Sequence, residues 1–180
     1  MTLESISIPE TAEKALRSIE ELGHPWRGTI LSREDWAAGL DVKLMTDGND
    51  IDILFWVGCT AALEDRSIRI AQALAKLLKR AEIKFGMLGF AENCCGDPAR
   101  RLGNEYLFQV LAKNNIELMN SYNVKRIVTT CPHCYNTIKN EYPQFGGDFQ
   151  VFHHTEFIDS LLNEGRLKMT KENKSHRNVP

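Results

Sequence analysis

The chain has 180 residues, 43% of them apolar and 26% charged, with a net charge of −2. That length supports one domain with its own core, and the balance is that of an ordinary globular protein, with no positive field to draw nucleic acid. The first residues lack the basic-then-apolar pattern of a leader, and the longest apolar run, Ile53 to Leu63, is about half of the roughly 20 residues a membrane helix needs. A cytoplasmic chain with reduced thiols is expected, with no direct membrane insertion.

Residues 1–8 carry no regular pattern. Ala12, Ala15, Leu16, Ile19 and Leu22 recur at helical spacing between Pro9 and Gly23. Ser32 followed by Asp35 resembles a cap before a short helix through Trp36. Asp47-Gly48-Asn49-Asp50 is a turn signal. Residues 1–50 offer little core of their own and are expected to form an N-terminal helical extension.

Regular alternation begins at residue 51. Ile51 to Val57 is a nearly continuous apolar run, as in a strand buried on both faces. A helix over Arg66 to Ala81 follows, then a strand over Lys84 to Leu88 and a helix over Asn104 to Tyr122. A third strand over Arg126 to Thr130 leads to a helix over Tyr135 to Glu141. A fourth strand over Phe149 to Phe152 leads to a helix over Thr155 to Asn163. These repeating βα units predict an α/β fold: a parallel sheet with helices on its faces. The expected domain spans residues 51–168, followed by a polar, disordered tail over 169–180.

All five cysteines lie between residues 59 and 134: Cys59, then Cys94-Cys95-Gly96, then Cys131-Pro132-His133-Cys134. The three groups are about 35 residues apart. Each follows a predicted strand, and His153 and His154 follow the fourth. The strand pattern, read without the cysteines, therefore gathers them at the carboxyl-terminal edge of one sheet, where open α/β sheets bind ligands. An odd number of cysteines argues against a closed disulfide framework, and in a reducing compartment such a group binds metal or does chemistry.

Thiolates are soft ligands that select zinc, copper(I) or iron–sulfur clusters. A zinc tetrahedron or an ordinary four-iron cluster takes four, and here there are five. Adjacent thiolates can reach two metals or bridge them, which suits a multinuclear iron–sulfur site. Two alternatives stand beside it. One is a zinc-binding structural or assembly module of a redox complex. The other is a metal-free thiol enzyme using Cys131 and Cys134 as a dithiol, which leaves the CCG triplet unexplained.

The CCG and C-P-x-C groups resemble the cysteine-rich CCG domain found in heterodisulfide reductase and in fused iron–sulfur oxidoreductases. The resemblance extends to Phe55-Trp56-Val57-Gly58-Cys59, to Gly96 through Glu105, to Thr129 through Cys134, and to His153-His154-Thr155-Glu156. It covers roughly residues 30–168. It implies that Cys59, Cys94, Cys95, Cys131 and Cys134 ligate a noncubane [4Fe-4S] cluster. It implies electron transfer from a ferredoxin-type or flavoprotein partner toward a disulfide or related acceptor. A membrane-anchored partner would hold such a chain at the inner face of the membrane. The family commonly carries two CCG repeats and a ferredoxin-like segment. This chain has one repeat and no such segment, so it is expected to be one module of a longer enzyme.

Other residues near the cysteines have two readings each. His153 and His154 are candidates to donate a proton or a hydrogen bond at the cluster edge, or caps of the last helix. His133 lies within the C-P-x-C group, against the cluster or facing solvent. Arg100 and Arg101 are candidates to bind an anionic group of a substrate, or a salt-bridged surface pair. Asp97 is expected to cap the adjoining helix or hold Arg100. Trp56 and Phe55 are expected to pack the core.

Overall fold

A computed structural model describes residues 8–169, apart from 27, 30, 48 and 49. The turn expected at Asp47–Asp50, the irregular first residues and most of the tail fall wholly or partly outside them.

Helix α1 (Glu10–Leu22) ends at Gly23, whose φ is +70°. A 3-10 turn at Asp35–Ala37 follows, entered by the Ser32 amide donating to Asp35 Oδ2 at 2.7 Å. Strand β1 is Lys43–Leu44 and β2 is Ile53–Trp56. Helices α2 (Gly58–Leu63) and α3 (Asp65–Arg80) lead to β3 (Phe85–Met87). Helices α4 (Asp97–Arg101) and α5 (Glu105–Ser121) lead to β4 (Arg126–Thr129). Helix α6 (Pro132–Asn136) continues as a π-helical turn at Thr137–Glu141 and a 3-10 turn at Tyr142–Phe145. Strand β5 (Gln150–His153) and α7 (His154–Asn163) close the fold. The α/β reading, its four βα units and its parallel sheet are borne out.

The sheet order is β1-β3-β2-β4-β5 and every pairing is parallel. β2 is the middle strand, and all four of its residues are buried. Its side chains alternate between two cores. Leu54 and Trp56 join one with α1, α5, Tyr142 and the buried cysteines. Ile53 and Phe55 join the other with Trp36, α3 and α7. Leu16 and Ile19 of α1 pack into the first core, so that apolar stripe lies on this fold.

The chain passes from β2 to β3 on one side and then to β4 on the other. This reversal is the topological switch point, where the carboxyl ends of such sheets open a crevice. Cys59 follows β2, Cys94 and Cys95 follow β3, and Cys131 follows β4. The cysteines therefore surround the switch point.

The structure adds three features to the sequence reading. Strand β1 is two residues long at the sheet edge, too short to show an apolar run. Cys59 lies in the first turn of the short helix α2. Helix α6 starts at Pro132, earlier than Tyr135, so Cys134 is helical and Cys131 caps it. Proline suits the first helical turn, where its missing N–H has no partner to lose.

Candidate metal centre

Two glycines set the close approach of the three cysteine segments. Gly58 turns the chain from β2 into α2 with φ +78°, and a Cβ there would sit 3.2 Å from Cys134 Sγ and 3.9 Å from the Cys131 Cβ. Gly96 has φ +90°, and a Cβ there would sit 2.8 Å from the Phe108 ring. A side chain is disfavoured at both by backbone and by space.

Cys94, Cys95 and Cys134 are buried, while Cys59 and Cys131 are partly exposed. Each sulfur perturbs the next, in the order Cys59, Cys94, Cys95, Cys134, Cys131. The neighbouring Cys134 thiol, donating toward them, pulls both the Cys95 and the Cys131 thiols below their ordinary values. Cys134 is in turn pushed up by Cys131 and Cys95. Cys59 is pushed up by its contact with Cys94 and by burial. Cys94 is pulled down by Cys59, but Cys95 and burial outweigh that and the net is upward. Cys131 also acts on Cys59, so the five thiols form one mutually coupled group. Among the described residues, no group of three or more His, Cys, Asp or Glu side chains is already arranged around a metal position. A tetrahedral zinc site takes four donors turned to one point; a multinuclear cluster spreads its thiolates over several metals, and two can share one or bridge a pair. Five coupled soft donors, one more than a tetrahedron takes, fit the second kind of group. The buried Trp56 Nε1–H, without a protein partner and 4.0 Å from the point a Gly58 Cβ would occupy, also fits a group with sulfur acceptors.

The backbone carrying the cysteines is held by buried polar residues. Glu92 accepts from the Gly58 amide at 2.7 Å and the Val57 amide at 3.0 Å. Arg33 pairs with Glu92 at 3.3 Å and donates to the Gly23 carbonyl at 2.7 Å. The Cys94 amide donates to that same carbonyl at 2.7 Å. Asn115 Nδ2 donates to the Cys94 carbonyl at 3.0 Å and to the Tyr142 hydroxyl at 3.1 Å. The Tyr142 hydroxyl donates to the Cys95 carbonyl at 2.9 Å. Both carbonyls of the cysteine pair are thereby clamped.

Sequence reasoning missed Arg33, Glu92, Asn115 and Tyr142. Asn115 had a signal: it interrupts the apolar stripe of α5 between Leu111, Ala112, Ile116 and Met119. Arg33 and Glu92 are ordinary charged residues in irregular segments and had none.

The other candidates lie around the centre. His153 caps α7: its amide donates to Glu156 Oε2 at 3.2 Å, and its Nδ1 is 2.8 Å from Thr155 Oγ1. Its Nε2 is 3.3 Å from the Thr130 carbonyl, one residue before Cys131. His154 stacks on it at 4.3 Å, with a buried Nδ1 that has no hydrogen-bond partner. Burial, with His153 beside it, lowers the His154 pKa. His133 is exposed, its Nδ1 4.0 Å from Cys131 Sγ. Arg100 and Arg101 both pair with Glu141, and Arg101 also with Asp97 at 3.2 Å. Thr137 Oγ1 donates to Asp97 at 3.3 Å. This network ties α4, after the CCG triplet, to the turn after α6.

The fold and the site define a parallel α/β domain with five free cysteines around its switch point. Residues 53–139 match the family model described as a cysteine-rich domain, CCG. That stretch, which holds all five cysteines, is the part of the chain that matches the family. It is 43% identical over 169 residues to the EtfAB:quinone oxidoreductase of Syntrophomonas wolfei subsp. wolfei, covering 91% of this chain and 24% of that protein. It is 43% identical over 164 residues to the probable iron-sulfur-binding oxidoreductase FadF of Bacillus subtilis, covering 87% and 23%. It is 29% identical over 159 residues to one component of the dihydromethanophenazine:CoB–CoM heterodisulfide reductase of Methanosarcina mazei, covering 85% and 37%. The chain spans about a quarter of the length of the first two. No solved structure matches it significantly. Among the described residues, no helix is long and apolar enough to cross a membrane.

Proposed function

We propose that Cys59, Cys94, Cys95, Cys131 and Cys134 hold an iron–sulfur cluster, of the noncubane four-iron type. The chain is then the cluster-bearing module of a heterodisulfide-reductase-like oxidoreductase. It carries electrons from a ferredoxin-type or flavoprotein partner toward a disulfide or a related acceptor. The single observation that carries this reading is the set of five free thiols brought from three βα junctions to one switch point of the sheet. The names of the relatives support the redox class, and one includes a quinone. A quinone acceptor is consistent with a cytoplasmic module held at the membrane by an anchored partner.

Such a cluster supplies, when bound, a one-electron relay beside a soft metal face that takes sulfur. The chain's residues divide the remaining work. Cys94, Cys95 and Cys134 present buried thiolates on the sheet side. The partly exposed Cys59 and Cys131 bound the side open to an acceptor. Glu92, Asn115 and Tyr142 hold the segments that bear the thiolates. His153, whose ring reaches the Thr130 carbonyl beside Cys131, is with His154 our candidate for passing a proton at that side.

The test is iron, acid-labile sulfide and zinc per chain after purification without oxygen, with an absorption spectrum of the same sample. About four iron and four sulfide are expected, and Cys94→Ser or Cys131→Ser should lower both. One zinc without sulfide would make this a structural module. Iron content untouched by either substitution would make the ligand assignment wrong.

A further inference from the structure

The first core contains a buried donor that nothing in the fold uses. Trp56 ends β2, is fully buried, and its indole Nε1–H has no hydrogen-bond partner. Burying an N–H without an acceptor is unfavourable, and a wholly apolar ring would avoid it. The position of this nitrogen explains the exception. It lies 4.0 Å from the point a Gly58 Cβ would occupy, and that same point is 3.2 Å from Cys134 Sγ and 3.9 Å from the Cys131 Cβ. The indole nitrogen and Cys134 Sγ therefore flank the same point beside Gly58, on the only side of the sheet that bears cysteines among the described residues. Trp36 supplies the contrast. It too is fully buried with an unpartnered Nε1, but it packs against Phe55 in the other core, which contains no cysteine.

We propose that Trp56 is a tuning residue: its Nε1–H donates a hydrogen bond to the sulfur face of the centre at Cys131 and Cys134, and so raises the reduction potential there. The proposal rests on the iron–sulfur reading above. Reduction puts negative charge on the sulfurs, and a fixed donor stabilises that charge more in the reduced than in the oxidised state. The indole nitrogen is a donor only and does not titrate. Its effect is therefore the same at every pH.

The test replaces Trp56 in the full chain with 3-benzothienylalanine, in which sulfur takes the place of the N–H and the ring keeps its size. The same replacement at Trp36 is the control. Iron and sulfide per chain are measured first, then the midpoint potential at several pH values by voltammetry. The expected result is an unchanged metal content and a lower potential at position 56 alone, equally at all pH values. At a fixed poise the reduced-to-oxidised ratio should fall by up to about tenfold, about 59 mV for one electron. Loss of the cluster from the position-56 variant, with a native circular dichroism spectrum, would overturn the tuning role and make Trp56 a residue that shapes the space for the cluster. An unchanged potential, or an equal shift at position 36, would overturn it. Absence of iron and sulfide from the unaltered chain would instead overturn the iron–sulfur reading, and this proposal with it.

Discussion

The Glu92 carboxylate lies 2.7 Å from the Gly58 amide nitrogen, one residue before Cys59, and bridges the loop after β3 to the loop after β2. It also takes the Val57 amide, so two buried donors depend on one side chain. Glu92→Ala leaves both without an acceptor, at about 1–3 kcal/mol each. Glu92→Gln keeps one acceptor oxygen and should lose about half as much. Urea unfolding of both variants checks this. Equal losses would mean that the charge on Glu92, rather than its acceptors, holds the loop.

The same carboxyl gives a dependence on pH. Burial pushes the Glu92 pKa above its ordinary value of 4.5, and Arg33 with the two amides only partly offsets this. The unfolded chain therefore releases this proton at a lower pH than the folded protein does. The stability due to Glu92 is whole below the ordinary carboxyl value and is lost as pH rises through the raised one. Glu92→Gln removes that slope. Unfolding free energies for the two proteins, measured between about pH 4 and pH 7, should converge as pH rises; parallel curves would refute the upward shift.

Asn115 and Tyr142 act on the cysteine pair as one unit, since the hydroxyl that Asn115 reaches is also the donor to Cys95. Tyr142→Phe removes that bond and leaves the Cys95 carbonyl short of a partner, at about 1–3 kcal/mol. The expected outcome is faster iron release to a chelator, with the ligands intact. A double mutant with Asn115→Ala should be less than additive, by about 0.5–3 kcal/mol. Strict additivity would show two separate anchors.

The parallel sheet and the edge that gathers the cysteines were legible because both rest on period and spacing. Ile51 to Val57 reads as a strand buried on both faces from its nearly unbroken apolar run, and the structure forms it at Ile53–Trp56 with all four residues buried. Strand order was not legible, since it depends on which face each crossover helix covers. Nor were α2 and α4, which are too short to show a stripe. Glu92 and Arg33 were hidden for another reason. Their roles arise from contacts to backbone and to each other 59 positions apart, and a single sequence records no such pairing. The reading of Trp56 as core was incomplete: burial follows from its apolar run, but the orphaned nitrogen follows only from coordinates.

Arg100 and Arg101 separate a structural role from a substrate role. Arg101 is half-exposed and shares Glu141 and Asp97 with its neighbours, so removing it should cost no more than about 1 kcal/mol. Arg101→Ala is expected to keep its iron and its fold. If the pair also binds an anionic acceptor, the same variant raises KM while kcat holds. An unchanged KM with a small loss of stability would leave the pair as a strut between α4 and the turn after α6.

Gly58 and Gly39 allow backbone strain to be separated from crowding at the thiols. Their φ angles are +78° and +74°, so alanine is strained alike at both, by about 1–2 kcal/mol. At Gly39 the added methyl meets nothing within 4 Å, whereas at Gly58 it stands 3.2 Å from Cys134 Sγ. Gly39→Ala should therefore lower thermal stability and leave iron per chain unchanged. Gly58→Ala should lose comparable stability through strain and, in addition, displace Cys134 from its neighbours, so that iron per chain falls and its release to a chelator quickens. Iron loss of the same size in both would show that a general weakening of the fold governs metal retention. Full iron in Gly58→Ala would show that the thiols tolerate a methyl between β2 and α6, and that the close approach at Gly58 is not what sets the spacing of the centre.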